Sequence, residues 1–156
     1  MKITAVLTSY WQERLSNIPK ILDDLKNSSR PPDEIILLNN NNSYTIGRTD
    51  IKVLNSMYNF GAEGRFAAAL FVPSDRYFFI DDDLTVEKDT LKNLEKWASL
   101  KFPVLSLIGQ KTKKGMKYKS GKRVIGKDVT TPTEIDVSLR THLVSQEQVA
   151  ETAKLI

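Results

Sequence analysis

Residues 77–80 read Tyr-Phe-Phe-Ile and run straight into three consecutive carboxylates, Asp81, Asp82 and Asp83. No polar residue interrupts the apolar run, so it lacks the alternation of a strand with one wet face. It has the character of a strand buried on both sides, which requires helices above and below the sheet. A layered α/β structure is the expected setting for such a strand. In such folds ligands bind beyond the carboxyl ends of the strands, where the three aspartates fall.

Adjacent carboxylates raise one another's pKa unless a cation or a set of donors offsets their charge. Hard oxygen donors of this kind suit Mg²⁺ or Mn²⁺. Asp81, Asp82 and Asp83 are thus candidates for a divalent-metal and diphosphate site. A second reading is local, since acidic residues after a strand often cap the next helix, and Asp83 and Thr85 precede a helical segment.

The flanking segments repeat the pattern. Residues 3–7 form a short apolar strand followed by a polar, aromatic turn from Thr8 to Gln12. Leu15, Ile18, Ile21, Leu22 and Leu25 lie on one helical stripe, with Ser16 or Asn17 as N-cap and Pro19 in the first turn. Residues 34–38 are a second buried strand ending in an asparagine run, and residues 51–54 a shorter third. Residues 59–65 lead into a small-residue helix over 66–71, able to pack closely on the sheet, which Pro73 ends. After the acidic run, Leu91, Leu94 and Trp97 mark another helix, followed by a strand at 104–108. This alternation predicts a mainly parallel sheet flanked by helices.

From Gly109 onward the pattern changes. Gly115, Gly121 and Gly126 punctuate a polar stretch that reads as a β-hairpin or long flap. A last strand is expected over 134–139 and a terminal helix over 145–156, with Ser145 as its cap. Val149, Ala153, Leu155 and Ile156 on that helix would cover a partner subunit in a homo-oligomer, or the sheet edge.

At 156 residues the chain suits a single domain with a proper core. It has no cysteine and one histidine, which excludes disulfides, thiolate zinc sites and His-rich metal centres. Any metal must rest mainly on carboxylates. No apolar run approaches the roughly 20 residues of a membrane helix, and the N-terminus lacks a secretory pattern, so a cytoplasmic location is expected. The net charge of +4 permits anionic partners.

Thr8-Ser9-Tyr10, the polar loop after Leu38, Arg65 at a helix start and the Asp81–Asp83 cluster occur in the order and approximate spacing of a GT-A glycosyltransferase of the family-2 type. The chain resembles that family over residues 1 to 110, with 111–156 supplying a basic flap, last strand and helix. The resemblance implies a single GT-A-like domain that transfers a sugar from a nucleotide-diphosphate sugar. In that family the turn after the first strand and the residue after the second hold base and ribose, and a DXD motif holds the metal on the diphosphate. Thr8 and Tyr10 would then frame the base, Asn39 and Asn40 take the second-strand position, and Arg65 reach the base or the acidic loop. Asp83 is implied as the direct metal ligand, with Asp81 acting through ribose or water and Asp82 between them. The metal would neutralise the departing diphosphate as a Lewis acid. His142, the sole histidine, is a candidate addition to the metal shell, or a structural residue.

Two departures from the family pattern stand out. The family usually has aspartate where Asn39 or Asn40 falls. An amide oxygen still accepts the N3 hydrogen of uracil, but the amide can also face another base, so a UDP-sugar is the leading donor rather than a fixed one. The acidic general base of inverting members has only Asp136 and Glu147 as candidates, and either can equally be a surface carboxylate.

Lys111, Lys113, Lys114, Lys117, Lys119, Lys122, Arg123 and Lys127 form a basic segment around Tyr118 with no acid among them. It would close over diphosphate, hold an anionic acceptor such as nucleic acid or a phosphate-bearing glycan, or simply be a solvated flap. Two further functions remain beside the transferase. One is a non-catalytic nucleotide or nucleic-acid binding module derived from this fold; the other, nucleotidyl transfer, lacks here the usual glycine-rich phosphate loop.

Overall fold

In a computed structural model of the chain, the described residues are 1–41, 44–100, 102–111, 122–125 and 137–155. They form a seven-stranded sheet in the order β3-β2-β1-β4-β7-β5-β6. The strands are β1 (Ile3–Ser9), β2 (Glu34–Asn40), β3 (Lys52–Ser56), β4 (Arg76–Asp81), β5 (Val104–Lys111), β6 (Lys122–Ile125) and β7 (Val137–Ser145). The helices are α1 (Ile18–Lys26), α2 (Gly64–Ala69), α3 (Thr90–Ala98) and α4 (Gln146–Ala153). The expected parallel sheet is present as β3, β2, β1 and β4. Beyond β4 the pairing turns antiparallel, with β7 between β4 and β5.

The uninterrupted apolar strands are covered on both sides, as their composition requires. Every residue of β1 is buried, and so is β4 from Arg76 to Ile80. One face holds Ala5, Leu7, Phe78 and Ile80 under the apolar stripes of α1 and α3. The other holds Val6, Leu38, Tyr77 and Phe79 under Ala68 and Ala69 of α2 and Val149 of α4. The small residues of α2 let it lie close: a Cβ added at Gly64 would stand 3.5 Å from Leu38 Cδ2 of β2, and 2.9 Å from Phe60 Cβ in the preceding loop.

Several local expectations are corrected. The segment after β1 does not enter α1 directly. Residues Gln12–Asn17 form a 3-10 turn, and Asn17 precedes α1 without a side-chain cap. Asn17 instead donates to the Asp82 carbonyl at 3.0 Å. Asp83 does not begin the next helix either, because α3 starts at Thr90. The last strand is displaced from 134–139 to Val137–Ser145, since pairing with both β4 and β5 carries it through the polar residues 140–142. Ser145 does cap α4, accepting from the Gln148 N–H at 3.3 Å. Val149 is buried in the core, so it covers the sheet and is not available to a partner subunit; Leu155 is exposed. The hairpin expectation has its partner strands in β5 and β6; residues 112–121 between them, with most of the basic segment, lie outside the described residues, as do Asp136 and Ile156.

Candidate functional site

Parallel pairing sets Thr8 of β1 beside Leu38 of β2 and Asp81 of β4, so the polar segments after all three strands emerge together. Side chains alternate across a strand. Thr8 therefore shares the α2/α4 face with Val6, and Asp81 shares it with Phe79. This alternation divides the acidic run. Asp81 points to the α2/α4 side, while Asp82 is met from the α1 side.

On the α2/α4 side, Arg65 Nη2 donates to Asp81 Oδ1 at 2.5 Å, and its Nε donates to the Ala62 carbonyl at 2.9 Å. The guanidinium is only 15% exposed, whereas the Asp81 side chain is 39% exposed. Both border a cavity of about 470 Å³, lined also by Phe66, His142, Gln148 and Thr152. His142 sits on β7 directly across from Phe79. Burial, helped by the nearby Arg65 charge and opposed by Asp81, lowers its pKa to about 4, so the imidazole is neutral at pH 7.

On the α1 side, Asp82 is buried and accepts from the Tyr10 backbone N–H at 3.0 Å. Arg14, in the 3-10 turn, shares one nitrogen between Asp82 Oδ1 at 3.3 Å and Asp83 Oδ2 at 3.1 Å. Asp83 is half exposed. The run of three negative charges is thus answered by two guanidinium groups and one amide, an arrangement that composition near the aspartates does not foretell.

Two asparagines close β2 and have different work. Asn40 accepts from the Phe60 N–H at 2.9 Å and donates to Asn59 Oδ1 and the Gly61 carbonyl, so it holds the loop that leads into α2 and Arg65. Asn39 donates through Nδ2 to the Tyr44 carbonyl at 2.8 Å and to Asn55 Oδ1 at 2.7 Å. A backbone carbonyl cannot exchange roles, so these bonds fix the amide with its oxygen as the remaining acceptor. Asn39 Oδ1 and Thr8 Oγ1 are the buried side-chain atoms without a hydrogen-bond partner among the described residues. Such groups are costly to leave unpaired.

Tyr10 is half-buried at the rim, its ring edge-on to the exposed Trp11 with centroids 4.9 Å apart. Thr8, Tyr10, Asn39, Asn40, Arg65 and Asp81–Asp83 are therefore gathered at one end of the parallel strands, with His142 beside Arg65. Glu147 stands exposed on the first turn of α4 and does not line the cavity. Asp136 falls outside the described residues. Sequence reasoning missed Arg14 and Trp11. The aromatic pair was visible as neighbouring residues, whereas Arg14 meets the acidic run only through the adjacency of β1 and β4.

No family profile matches the chain, and no curated protein matches it. Solved structures do. S. aureus TarS 1–349 in complex with UDP-GlcNAc superposes with a TM-score of 0.55 at 19% identity over 75% of this chain. A CMP:2-keto-3-deoxy-manno-octonic acid synthetase complexed with CTP covers the whole chain and 79% of its own, with a TM-score of 0.62 at 9% identity. The fold is GT-A-like. The mannosyltransferase PcManGT from Pyrobaculum calidifontis, in complex with GDP-Man and Mn²⁺, gives a TM-score of 0.51 at 20% identity over 72% of this chain. The chain spans a little over a third of the TarS 1–349 and mannosyltransferase structures, 36% of each. Among the described residues, no helix is long and apolar enough to cross a membrane.

Proposed function

We propose that this GT-A-like chain binds a nucleotide-diphosphate sugar at the carboxyl ends of β1, β2 and β4 and transfers its sugar, with UDP-sugars as the leading donors. The observation that carries this reading is the gathering of Thr8, Tyr10, Asn39, Arg65 and a partly exposed acidic run at the carboxyl ends of β1, β2 and β4, where Thr8 Oγ1 on the α2/α4 face and Asn39 Oδ1 on the α1 face are both without a partner among the described residues. Thr8 offers a hydroxyl to base or ribose, and Asn39 an acceptor to a ring N–H such as that of uracil. Tyr10 supplies an aromatic wall.

Among the described residues, no three carboxylate, imidazole or thiolate groups converge as a self-sufficient metal cage. A diphosphate-bound Mg²⁺ or Mn²⁺ does not need one, because one or two carboxylates plus phosphate oxygens complete its shell. Asp83 and Asp81, hard donors that are both partly exposed, fit that requirement. His142, neutral and lining the same cavity as Asp81 and Arg65, is a candidate addition to that shell. A divalent ion there would neutralise charge on the departing diphosphate. Around it, Arg65 keeps Asp81 oriented and the Tyr10 N–H keeps Asp82 in place. With Glu147 exposed and Asp136 outside the described residues, the reading assigns a general base to neither.

The test is thermal. UDP with Mn²⁺ at about a hundred times its Kd stabilises the protein by about 2.7 kcal/mol, and Asp83→Ala removes the manganese-dependent part. Stabilisation by UDP and Mn²⁺ that survives Asp83→Ala undoes the metal assignment. The guanidinium pairing of all three aspartates favours a second reading, a metal-free binding module. Affinity for nucleoside diphosphates without hydrolysis or transfer from a panel of sugar nucleotides would decide for it.

A further inference from the structure

Arg14 and Arg65 both pair with the acidic run, but they are held in different ways. Arg65 is largely buried, makes a short bond to Asp81, and is steadied by the Ala62 carbonyl. Arg14 is 40% exposed and lies in a 3-10 turn, with a single nitrogen stretched between two carboxylates. Its two contacts exceed the roughly 2.7–2.9 Å of strong charge-assisted bonds, and neither is the two-pronged fork that makes arginine pairs firm. The contact with Asp83, exposed on both sides, contributes little, because water screens it and two flexible side chains must be ordered, whereas the contact with Asp82 reaches a buried carboxylate.

The carboxylates beneath Arg14 also differ. Asp82 is buried and keeps the Tyr10 N–H on its other oxygen whether or not Arg14 is there. Asp83 is half exposed, and among the described residues its ion pair is with Arg14. Removing the guanidinium therefore leaves Asp82 with the Tyr10 N–H on one oxygen and Asp83 open. We propose that Arg14 is a displaceable counter-ion at Asp83, competing there with the divalent cation, which takes its place when the nucleotide complex forms. This rests on the metal reading above. It adds a residue that the resemblance does not supply and explains how an anionic cluster stays tolerable before any ligand arrives. The Thr8 hydroxyl, buried and without a partner among the described residues, stands beside Asp81 at the same strand end, on the α2/α4 face.

The test measures Mn²⁺ binding by the electron paramagnetic resonance of the free ion, with and without UDP. Arg14→Gln is expected to tighten Mn²⁺ binding by about twofold to fivefold, the reach of a removed exposed ion pair. Arg14→Lys, which keeps a cation, is expected to stay near wild type. Lys52→Gln, removing a cation beside Glu34 at the opposite end of the parallel strands, is expected to change nothing and controls for net charge. In the wild-type protein, diamagnetic Mg²⁺ with UDP should shift the Arg14 Nε–H resonance, and Asp83→Ala should abolish the shift. That measurement serves even if Arg14→Gln folds poorly. Unchanged or weaker Mn²⁺ binding in folded Arg14→Gln, or an Arg14 resonance indifferent to Mg²⁺, overturns the exchange while leaving the nucleotide-sugar reading intact. A wild-type protein that binds no Mn²⁺ even with UDP overturns both.

Discussion

The two ends of the parallel strands are built to opposite specifications. At the amino ends, charges and polar groups are answered by the chain itself. Glu34 lies between Lys2 and Lys52, and Asp33 accepts the Ile3 N–H at 2.7 Å and pairs with Arg30, which also reaches Glu95. Arg76, buried at the start of β4, donates to the Ala98 and Phe102 carbonyls and so closes the end of α3. The Thr4 and Ser74 hydroxyls satisfy each other at 2.6 Å. At the carboxyl ends, Thr8 Oγ1 and Asn39 Oδ1 have no partner, and Asp81 and Asp83 stay partly open. One end is finished by folding and the other is left for a ligand to finish. Mutations should therefore cost stability at the first end and binding at the second.

The largest effect expected on that contrast is at Arg76. Arg76→Met strands the buried Ala98 carbonyl and the part-buried Phe102 carbonyl and should lower unfolding free energy by about 2 kcal/mol in urea titrations, while UDP affinity below the melting range stays unchanged. A loss of affinity with little loss of stability would break the division of labour. Thr8→Val tests the other end. It removes an unsatisfied hydroxyl at constant shape, so the free protein should hold or gain up to about 1 kcal/mol. UDP affinity, read by calorimetry, should fall about tenfold.

The smallest effect is in acid. The Ile3 N–H and Arg30 hold Asp33 below the ordinary carboxylate pKa, and Lys2 and Lys52 do the same for Glu34. A folded-state pKa below the unfolded one contributes stability that is complete above about pH 5 and is lost as pH falls through the carboxylate range. Asp33→Asn should flatten that acid limb by under about 1 kcal/mol in urea midpoints compared at neutral and acid pH.

The layered core was the part easiest to read from sequence, while the ion pairs at the amino ends were not legible there. The unbroken apolar runs at 35–38 and 77–80 demanded two covered faces, and the stripe from Ile18 to Leu25 supplied one cover directly. The second cover was legible in the small residues around Ala68. β7 was harder, because residues 140–142 carry Arg, Thr and His, and only pairing on both sides makes a strand of them. At the open end, the gathering of Thr8, Tyr10, Arg65 and the aspartates was implied by the resemblance to GT-A glycosyltransferases. Its electrostatics were not. Arg14 and Asp82 are 68 residues apart, and no local pattern tells which of two nearby cations will meet which carboxylate. The separate tasks of Asn39 and Asn40 were equally hidden, since adjacent identical residues on a strand face opposite sides.

The insertion of β7 between β4 and β5 has a consequence for how the chain is made. Translation delivers β4 long before residues 137–145. Until those residues leave the ribosome, the backbone of Tyr77 to Phe79 presents one bare edge on a strand that carries three aromatic side chains. An unpaired edge of that kind recruits other chains. Nascent-chain chaperones are thus expected to engage the polypeptide in the interval between these two strands and to release it once β7 is available to dock.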